Sequence, residues 1–484
     1  MNFNRLVFLL YLPVVVLLYW ILPHKVRWVF LLAASYFFYA YENFYLLSLI
    51  LITTILSFTV ALLMEKTEKK EIRKLYFILS LVIILGILFV FKYLNFTLES
   101  AIGLINLFSK DKLSFTPFAL ILPVGISFYT FQTLGYVIDV YKGKSKAEHH
   151  FGYYALFVSF FPQLVAGPIE KVDVLLPQLK ENHKLCFDDF SEALPFLISG
   201  FVKKIVIADF LAIYVDAVYS NVLTATGFSL LLATVLFAFQ IYGDFSGYCD
   251  IAMGCARLLG IKLTQNFERP YLSHSVREFF RRWHVTLNNW FTEYIYIPLG
   301  GSRHGKARQI LNVLIVFLLS GLWHGASFHY VIWGLLNGIY ICIEILTASA
   351  LKRFVDKTPL RKKIYDVLSI GFTFVFILST WVFFRSKNVM EAFHVYQRIF
   401  TSFLSGSPLG LLSPEFVLRI ALSFLLLLLI PYLFSHKLIL NRDGLSKESF
   451  AVLSFYAVII LAIGFAWTYQ LQTSGESGFI YFQF

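Results

Sequence analysis

The stretch ILNVLIVFLLSGLWHGASFHYVIWGLLNGIYICIEIL, residues 310–346, decides the fold class. Its 37 residues contain one acidic residue, Glu344, and no lysine, arginine or aspartate. A transmembrane helix needs about 20 largely apolar residues, so this run is long enough for two short spans. We expect the two spans to meet near Gly321–Ser327, where small residues favour a bend or a close helix approach.

The composition of the whole chain points the same way. Of 484 residues, 58% are apolar and 14% are charged, whereas an ordinary globular protein carries about 25% charged residues. Such a chain cannot cover a water-facing surface with polar groups, which excludes a soluble enzyme and a disordered chain. Its 27 glycines and 14 prolines are too few for a collagen-like or low-complexity protein. The sequence predicts one all-α polytopic membrane domain over residues 1–484.

Apolar runs that can form membrane helices recur along the chain. We expect about 11 transmembrane helices from the runs 6–22, 28–47, 45–63, 75–94, 117–138, 153–169, 191–218, 228–248, 310–346, 364–384, 417–435 and 451–470. The short run 153–169 ends in Ala166-Gly167-Pro168 and is predicted to be re-entrant. The run 191–218 carries Lys203 and Lys204, which predicts that part of it is amphipathic. The first run lacks a small-residue cleavage site and is expected to stay as the first helix.

The basic residues predict the orientation. The formal net charge is +12, and lysine and arginine concentrate at 65–74, 142–146, 257–308 and 352–363. The positive-inside rule puts these loops on the cytoplasmic side of a bacterial inner membrane, with both termini outside. The same rule explains the charge without a nucleic-acid partner. The four cysteines lack metal-like spacing, so we expect neither a metal site nor a disulfide framework.

Three histidines fall outside the loops: His284, His324 and His329. An ionisable residue inside a span costs about 2.5–3.5 kcal/mol, so it is a candidate functional residue. His324 lies about 14 residues beyond the basic loop at 303–308, which is roughly 20 Å along a helix and near mid-membrane. Small residues around Trp323-His324 predict an imidazole that lines a cavity. The alternative is a histidine that hydrogen-bonds across a helix pair.

A polar cluster precedes these histidines, in QIYGDFSGYCD. Its members are Gln240, Asp244, Ser246 and Asp250. Gln240 and Asp244 share a helix face because they are four residues apart. The cluster predicts pairing with an arginine or a histidine elsewhere in the chain.

A third feature is the stretch 277–300, which is aromatic and amphipathic. Arg277, Arg281 and Arg282 lie on one side of it. This pattern is typical of a helix that lies at the membrane interface. It is equally compatible with a site that holds a phosphate-rich ligand at the cytoplasmic mouth.

The sequence contains no zinc-ligand spacing, P-loop, GxGxxG or GxSxG pattern. The chemistry must therefore be something that a lone histidine in a tunnel can perform. General base catalysis of acyl transfer fits, since an imidazole can take the proton of a hydroxyl that attacks an activated acyl group.

Seven stretches resemble the membrane-bound O-acyltransferase superfamily, and in particular the bacterial branch with the membrane subunits of alginate and peptidoglycan O-acetylation. They run from residue 122 to 386. N-terminal spans at 6–94 precede them, and C-terminal spans at 364–470 overlap their end and continue beyond it. They are LPVGISFYTFQTLGYVIDVYKG (122–143), FFPQLVAGPIEK (160–171), QIYGDFSGYCDIAMG (240–254), NFERPYLSHSVREFFRRWHVTLNNW (266–290), YIYIPLGGSR (294–303), GLWHGASFHYVIWG (321–334) and WVFFRS (381–386).

The resemblance implies a fold in which a ring of helices surrounds a thin central region pierced by a tunnel. It implies that His324 is the catalytic histidine and His284 the second tunnel histidine. Around them, Trp323, Asn288 and the polar cluster are expected to line or support the tunnel. A cytosolic acyl donor is expected at one end and an extracytoplasmic acceptor at the other.

The tail FIYFQF, residues 479–484, is similar to an aromatic C-terminal motif of this branch. The resemblance suggests that Tyr481 accepts the acyl group as a relay. A phenol is a poor nucleophile at neutral pH and needs a base, which His324 can supply if the tail reaches into the tunnel. The alternative is an aromatic anchor at the membrane interface.

The expected donor is acetyl-CoA, a substrate rather than a bound cofactor, with Arg277, Arg281 or Arg282 holding its phosphates. The expected acceptor is an extracytoplasmic glycan, or a partner acetyltransferase that delivers to it. A composition rich in lysine and phenylalanine and poor in alanine is typical of an AT-rich genome, which we do not expect of an alginate producer. The composition therefore favours a cell-wall glycan such as peptidoglycan over alginate. Two alternatives stay open: D-alanyl transfer to teichoic acid from a carrier-protein thioester, and a proton-coupled glycan or anion transporter.

Overall fold

The computed structural model describes residues 1, 3–41, 43–109, 112–355 and 358–405, with six more between 417 and 425. In these residues every regular element is helical, and one isolated β-bridge joins Phe267 to Trp283. The helices are α1 (Leu6–Ile21), α2 (His24–Ala40), α3 (Leu47–Lys66), α4 (Lys70–Leu88), α5 (Leu94–Phe108), α6 (Ile126–Tyr141), α7 (Phe151–Ser159), α8 (Val172–Lys180), α9 (Phe187–Phe201), α10 (Asp209–Tyr219), α11 (Gly227–Leu258), α12 (Val276–Arg282), α13 (Val285–Phe291), α14 (Gly305–His324), α15 (Phe328–Val355), α16 (Pro359–Arg385) and α17 (Val389–Thr401).

The chain contains three π-helical segments in its described residues, and two of them join helices without a break. Phe89–Tyr93 connects α4 to α5, Val202–Ala208 connects α9 to α10, and Thr292–Tyr296 follows α13. Short 3₁₀ turns precede α3 and α12, at Phe44–Leu46 and Pro270–Leu272. The predicted all-α class is confirmed for the described residues.

Six helical segments of the described chain are long and apolar enough to cross a membrane. They are Phe44–Lys66, Lys70–Phe108, Gly227–Leu258, Gly305–His324, Phe328–Arg353 and Pro359–Arg385. This agrees with the predicted multi-pass membrane protein, while the expected total of about 11 spans stays a prediction. The expected spans at 417–435 and 451–470 lie almost wholly outside the described residues.

The apolar run 310–346 divides into two helices, as predicted. Helix α14 ends at His324 and α15 begins at Phe328. The two helices touch closely, because a Cβ added at Gly321 would lie 2.3 Å from the Tyr330 carbonyl oxygen. One added at Gly334 would lie 2.2 Å from the Phe317 carbonyl oxygen. Glycine therefore allows the two backbones to meet beside the turn that carries His324.

The predicted span 117–138 is wrong in its first part. Residues 112–123 form no regular helix, and α6 begins only at Ile126, after Gly125 with φ of +77°. Pro117 and Pro123 explain this, because each removes a backbone donor and disfavours helix in the residue before it. Apolar composition alone did not locate this boundary.

Helix α6 lies at the centre of the molecule. All of its residues except Ile138 and Tyr141 are buried, and it packs against α3 and α4. The helix carries aromatic and polar side chains all round, which is typical of a helix enclosed by protein. It passes beside both candidate tunnel histidines.

The predicted amphipathic part of 191–218 is wrong. Lys203 and Lys204 lie in the π segment Val202–Ala208 and are buried, with exposures of 9% and 0%. They point toward α11 rather than toward water, because carboxylates on that helix pair with them at 2.6 Å.

The stretch 277–300 is not one continuous helix, and its position at the membrane interface stays a prediction. The segment is broken at His284 into α12 and α13, and Phe279, Trp283 and Trp290 are buried within the helical assembly. Aromatic side chains of neighbouring helices surround these three rings and contribute to their burial.

Side-chain contacts bring the basic loops together on one face. Glu65 pairs with His149 at 2.8 Å, and Arg73 donates to the Tyr141 carbonyl at 2.9 Å. Gln178 donates to the Lys262 carbonyl at 3.0 Å. The loops at 65–74, 142–146 and 257–308 thus share a side, as the charge count predicts; which side faces the cytosol stays a prediction.

Candidate active site

His324 is the last residue of α14 and is 4% exposed. Its ring meets the edge or face of three aromatic rings: Trp323 and Trp333 with centroids at 5.0 Å, and Phe384 at 5.2 Å. These rings come from α14, α15 and α16. The imidazole is therefore held in an aromatic box formed by three helices.

His284 occupies the break between α12 and α13. It has φ of +48°, a left-handed conformation that few non-glycine residues adopt. Asn266 holds this turn: its carbonyl accepts from Val285 N at 3.1 Å, and its Oδ1 accepts from Thr286 N at 3.0 Å. Strained backbone of this kind persists where the surroundings fix it, and it clusters at functional sites.

Trp323 lies between the two histidines. Its ring centroid is 5.6 Å from that of His284 and 5.0 Å from that of His324. Phe245 of α11 meets His284 from another side, at 4.7 Å. The structure thus brings together the two histidines and the tryptophan that the sequence singled out, although 40 residues separate the histidines along the chain.

Lys92 and Tyr93, which the sequence analysis missed, cap the end of α14. Lys92 Nζ donates to the Trp323 carbonyl at 2.5 Å and to Ser127 Oγ at 3.1 Å. Tyr93 donates to the Leu322 carbonyl at 2.9 Å. A lone cation in the apolar run 75–94 was the available signal, because the cost of an intramembrane charge applies to lysine as much as to histidine.

Two cavities lie at opposite ends of α6. The histidine cavity, about 30 Å³, is lined by Lys92, Ser127 and His324 among others. The acidic cavity, about 120 Å³, lies at the other end and is lined by polar groups that include Gln132, Asp139, Glu170, Thr264 and Asn289. Between them is an aromatic layer of Phe128, Phe131, Trp290 and Trp323, in which Phe131 is 3.9 Å from Trp290 and 5.7 Å from Trp323.

Charged groups border the acidic cavity. Burial raises the pKa of the Glu170 carboxyl to about 7, although hydrogen bonds from Thr264 oppose that shift. Glu293 pairs with Lys144 at 2.5 Å and with Lys171. Burial opposes ionisation of Glu293, but these two ammonium groups outweigh it and lower the pKa of its carboxyl. Glu293 therefore ties the π segment that follows α13 to the loops that follow α6 and precede α8.

A third cavity, the arginine cavity, has a volume of about 490 Å³ and contains three predicted site residues. Arg277, Arg281 and Asn288 all line it, together with Phe280 and Phe317. Arg282 is directed elsewhere, since it pairs with Glu278 at 2.5 Å within α12.

The arginine cavity is connected to the histidine by aromatic contacts. The Phe280 ring is 6.1 Å from Trp333, and Trp333 is 5.0 Å from His324. An anionic ligand held by the arginines would thus have one aromatic wall between it and the imidazole.

The two carboxylates of the polar cluster on α11 form ion pairs with lysines of the π segment Val202–Ala208. Asp244 binds Lys204 at 2.6 Å, and Asp250 binds Lys203 at 2.6 Å. The expected partner type, arginine or histidine, is wrong, because lysines of the π segment take that place. Ser246 donates to the Tyr242 carbonyl at 2.6 Å, and Gln240 is buried on the same helix.

This pairing anchors α11 beside the site. Phe245 follows Asp244 in sequence and packs on His284. His329 is the third histidine outside the loops. Its Nδ1 lies 3.0 Å from the Phe383 carbonyl oxygen, a contact that joins α15 to α16. Tyr481 lies outside the described residues.

Fold and site together define a multi-pass helical membrane protein with a buried histidine centre next to cavities at both ends of one central helix. Residues 34–390 match the model of the membrane-bound O-acyltransferase family. The chain belongs to that family, and it is an O-acyltransferase.

Several relatives are similar over most of the chain. The probable alginate O-acetylase AlgI of Pseudomonas aeruginosa is 37% identical over 404 residues, covering 83% of this chain and 75% of that protein. The peptidoglycan O-acetyltransferase of Helicobacter pylori is 36% identical over 391 residues, covering 75% and 72%. The teichoic acid D-alanyltransferase of Bacillus subtilis is 24% identical over 291 residues, covering 56% and 70%.

Proposed function

We propose that this enzyme moves an acetyl group from cytosolic acetyl-CoA across the membrane and delivers it for O-acetylation of an extracytoplasmic glycan. The observation that carries the proposal is the position of His324, which borders the histidine cavity and is buried beside Trp323 and Trp333. A general base for acyl transfer must reach both a hydroxyl and an activated acyl group. His324 borders the histidine cavity directly, and one aromatic wall of Phe280 and Trp333 separates it from the arginine cavity.

The reaction balances with one histidine. The acceptor hydroxyl loses its proton to the neutral imidazole of His324 as its oxygen attacks the thioester carbonyl carbon. The tetrahedral intermediate then expels the CoA thiolate as the C–S bond breaks, and the imidazolium returns the proton to that sulfur. Trp323 packs against the His324 ring and against His284, and we expect these rings to exclude water from the acyl group. No net proton or charge is left behind.

The donor is proposed to bind in the arginine cavity, with Arg277 and Arg281 facing its phosphates. Arg282 is left out of this role, because its guanidinium is held by Glu278. Arg281→Ala is expected to raise the KM for acetyl-CoA with little change in kcat. Arg282→Ala, the matched control, is expected to leave the KM for acetyl-CoA within about twofold. Its ion pair with Glu278 is partly exposed, and such pairs contribute little.

The central test is His324→Ala in membranes from a deletion strain, assayed with radiolabelled acetyl-CoA for base-labile acetyl groups on polymer. We expect a loss of at least about 100-fold, the lower range of a general base contribution. His304→Ala is the matched control, because His304 is an exposed loop histidine. Normal acetylation by His324→Ala at normal protein level would overturn the proposal.

A second candidate, D-alanyl transfer from a carrier-protein thioester, is supported by one weaker set of relatives. Teichoic acid D-alanyltransferases match at 24–28% identity over 46–56% of this chain. Supplying the membranes with acetyl-CoA or with D-alanyl carrier protein separates the two. Transfer from the carrier alone would favour the second candidate.

The acceptor is proposed to be a cell-wall glycan, reached directly or through a partner acetyltransferase. Relatives named for alginate and for peptidoglycan are equally similar to this chain, at 37% and 36% identity. Acetyl analysis of wall glycan and of secreted polysaccharide after gene deletion distinguishes them.

Tyr481 is proposed as an acyl relay. Detection of acetyl-Tyr481 by mass spectrometry would support this role, and full activity of Tyr481→Phe would contradict it.

A further inference from the structure

Lys92 is a cation inside the longest membrane-spanning segment, Lys70–Phe108. It belongs to the π-helical turn Phe89–Tyr93, and such turns inside α-helices are frequent at functional sites. Its ammonium reaches across to α14 and borders the histidine cavity. The proposed acyl transfer assigns no role to the Lys92 side chain.

In the part of the chain that the structure describes, the ammonium contacts neutral groups. They are the Trp323 carbonyl at 2.5 Å, Ser127 Oγ at 3.1 Å and the His324 carbonyl at 3.5 Å. The Trp323 ring lies beneath it, with its centroid 5.8 Å from Nζ. A charge at membrane depth is costly to retain, so its position calls for a function.

The end of α14 needs these donors. The last four carbonyls of a helix lack partners within it, and they carry the negative end of the helix dipole. Lys92 and Tyr93 supply three hydrogen bonds to the consecutive carbonyls of Leu322, Trp323 and His324. A single turn of the neighbouring helix thus fixes the turn that carries the catalytic histidine.

We propose that Lys92 is the positioning residue of this active site. Its side-chain nitrogen donates to the carbonyls of Trp323 and His324, fixes the Trp323–His324 turn and so sets the direction of the imidazole. This rests on the proposed role of His324 as general base. A displacement of about 1 Å at a reacting group can cost about 100-fold in rate, so loss of the ammonium is expected to lower turnover rather than donor binding.

The test compares three variants in membranes and in detergent. Lys92→Met keeps the length of the side chain but removes charge and donors, and kcat is expected to fall at least about 100-fold with the KM for acetyl-CoA within about threefold. Lys92→Arg keeps both and is expected to retain kcat within about tenfold. Tyr93→Phe, the matched control, removes one neutral hydrogen bond and is expected to stay within about fivefold.

A readout without activity follows the histidine itself. Diethyl pyrocarbonate modification of His324, measured by mass spectrometry, is expected to change several-fold in Lys92→Met and not in Lys92→Arg. Should Lys92→Met fail to fold, Lys92→Gln, which keeps one donor, takes its place with an intermediate loss expected. Folding is followed by gel filtration and thermal unfolding.

Normal kcat in Lys92→Met would overturn the inference, and so would equal inactivity of Lys92→Met and Lys92→Arg when both are folded. Failure of the proposed function gives a different result. In that case His324→Ala stays active, while the modification of His324 still depends on Lys92.

Discussion

His284 combines two roles that substitutions can separate. Its imidazole touches Trp323 and Phe245, and its backbone adopts φ of +48°. Asparagine tolerates the left-handed conformation better than other residues of its size, whereas for alanine it costs about 1–2 kcal/mol.

We therefore predict that His284→Asn and His284→Ala both lose at least about tenfold in acyl transfer, within the range for groups that assist a base. Only His284→Ala is expected to lower the unfolding temperature, because its backbone is strained. Activity in membranes and thermal unfolding in detergent measure the two effects. Wild-type activity in His284→Asn would leave this side chain with a backbone role only.

Glu170 makes the stability of the fold depend on pH. Burial raises the pKa of its carboxyl from 4.5 in an unfolded chain to about 7. Between these values the folded protein keeps a proton that the unfolded chain has released, so the free energy of unfolding falls as pH rises from about 4.5 to about 7, and then levels off.

Glu170→Gln removes the titrating group and is expected to flatten this part of the curve. The measurement is the unfolding temperature in detergent at intervals between pH 4.5 and 8. A wild-type curve that rises through this range, or an unchanged slope in Glu170→Gln, would count against the assignment.

The residues of the site differ in how far the sequence could identify them. His324 and Trp323 stand in a motif within an apolar run, so both their depth in that run and the resemblance point to them. Lys92 obeys the same rule of costly charge but lies 231 residues from Trp323, and no local pattern indicates that pairing. Asn266 acts through its contacts with Val285 and Thr286, which only the folded chain brings together.

At the scale of the helix, the contact between α14 and α15 depends on glycine. Gly321 and Gly334 each face a backbone carbonyl too closely for a Cβ, at 2.3 Å and 2.2 Å. Added methyl groups must push the two helices apart, and the turn that carries His324 moves with them.

Gly321→Ala is expected to lower acyl transfer at least about tenfold, since small displacements of a catalytic group are costly. It should also destabilise the fold by about 1–3 kcal/mol, as overpacking does. Gly371→Ala is the control, because nothing lies within 4 Å of its added Cβ in α16. Equal activity and stability of the two variants would contradict the close contact.

Elements were predictable where apolar length decides and less so where packing decides. The break between α14 and α15 follows from small residues, and the start of α6 follows from Pro123 and Gly125 once these are weighed. The burial of Lys203 and Lys204 depends on carboxylates about 40 residues away on α11, and an amphipathic pattern cannot distinguish such a partner from water.

At the scale of the whole molecule, one natural cysteine reports orientation. Cys186 is exposed, whereas Cys249, Cys255 and Cys342 are buried. It follows α8, on the face where Gln178 contacts Lys262 and Arg27 donates to the His183 carbonyl at 2.8 Å. The charge distribution predicts that this face is cytoplasmic.

A membrane-impermeant maleimide is expected to label the wild type in inverted vesicles and not in intact spheroplasts. Cys186→Ser should abolish the labelling and identifies the site. Labelling in spheroplasts instead would reverse the predicted orientation and with it the side proposed for the entry of acetyl-CoA.

The aromatic layer of Phe128, Phe131, Trp290 and Trp323 has a consequence for the energetics of the cell. If water fills the cavities at both ends of α6, most of the transmembrane voltage drops across these rings. Moving one elementary charge through the layer then costs or releases about 2.3 kcal/mol for each 100 mV. In the proposed cycle the proton that His324 takes returns to the departing thiol, so acyl transfer moves no net charge through this field. The layer then acts as an electrical insulator that keeps protons from leaking between the two cavities.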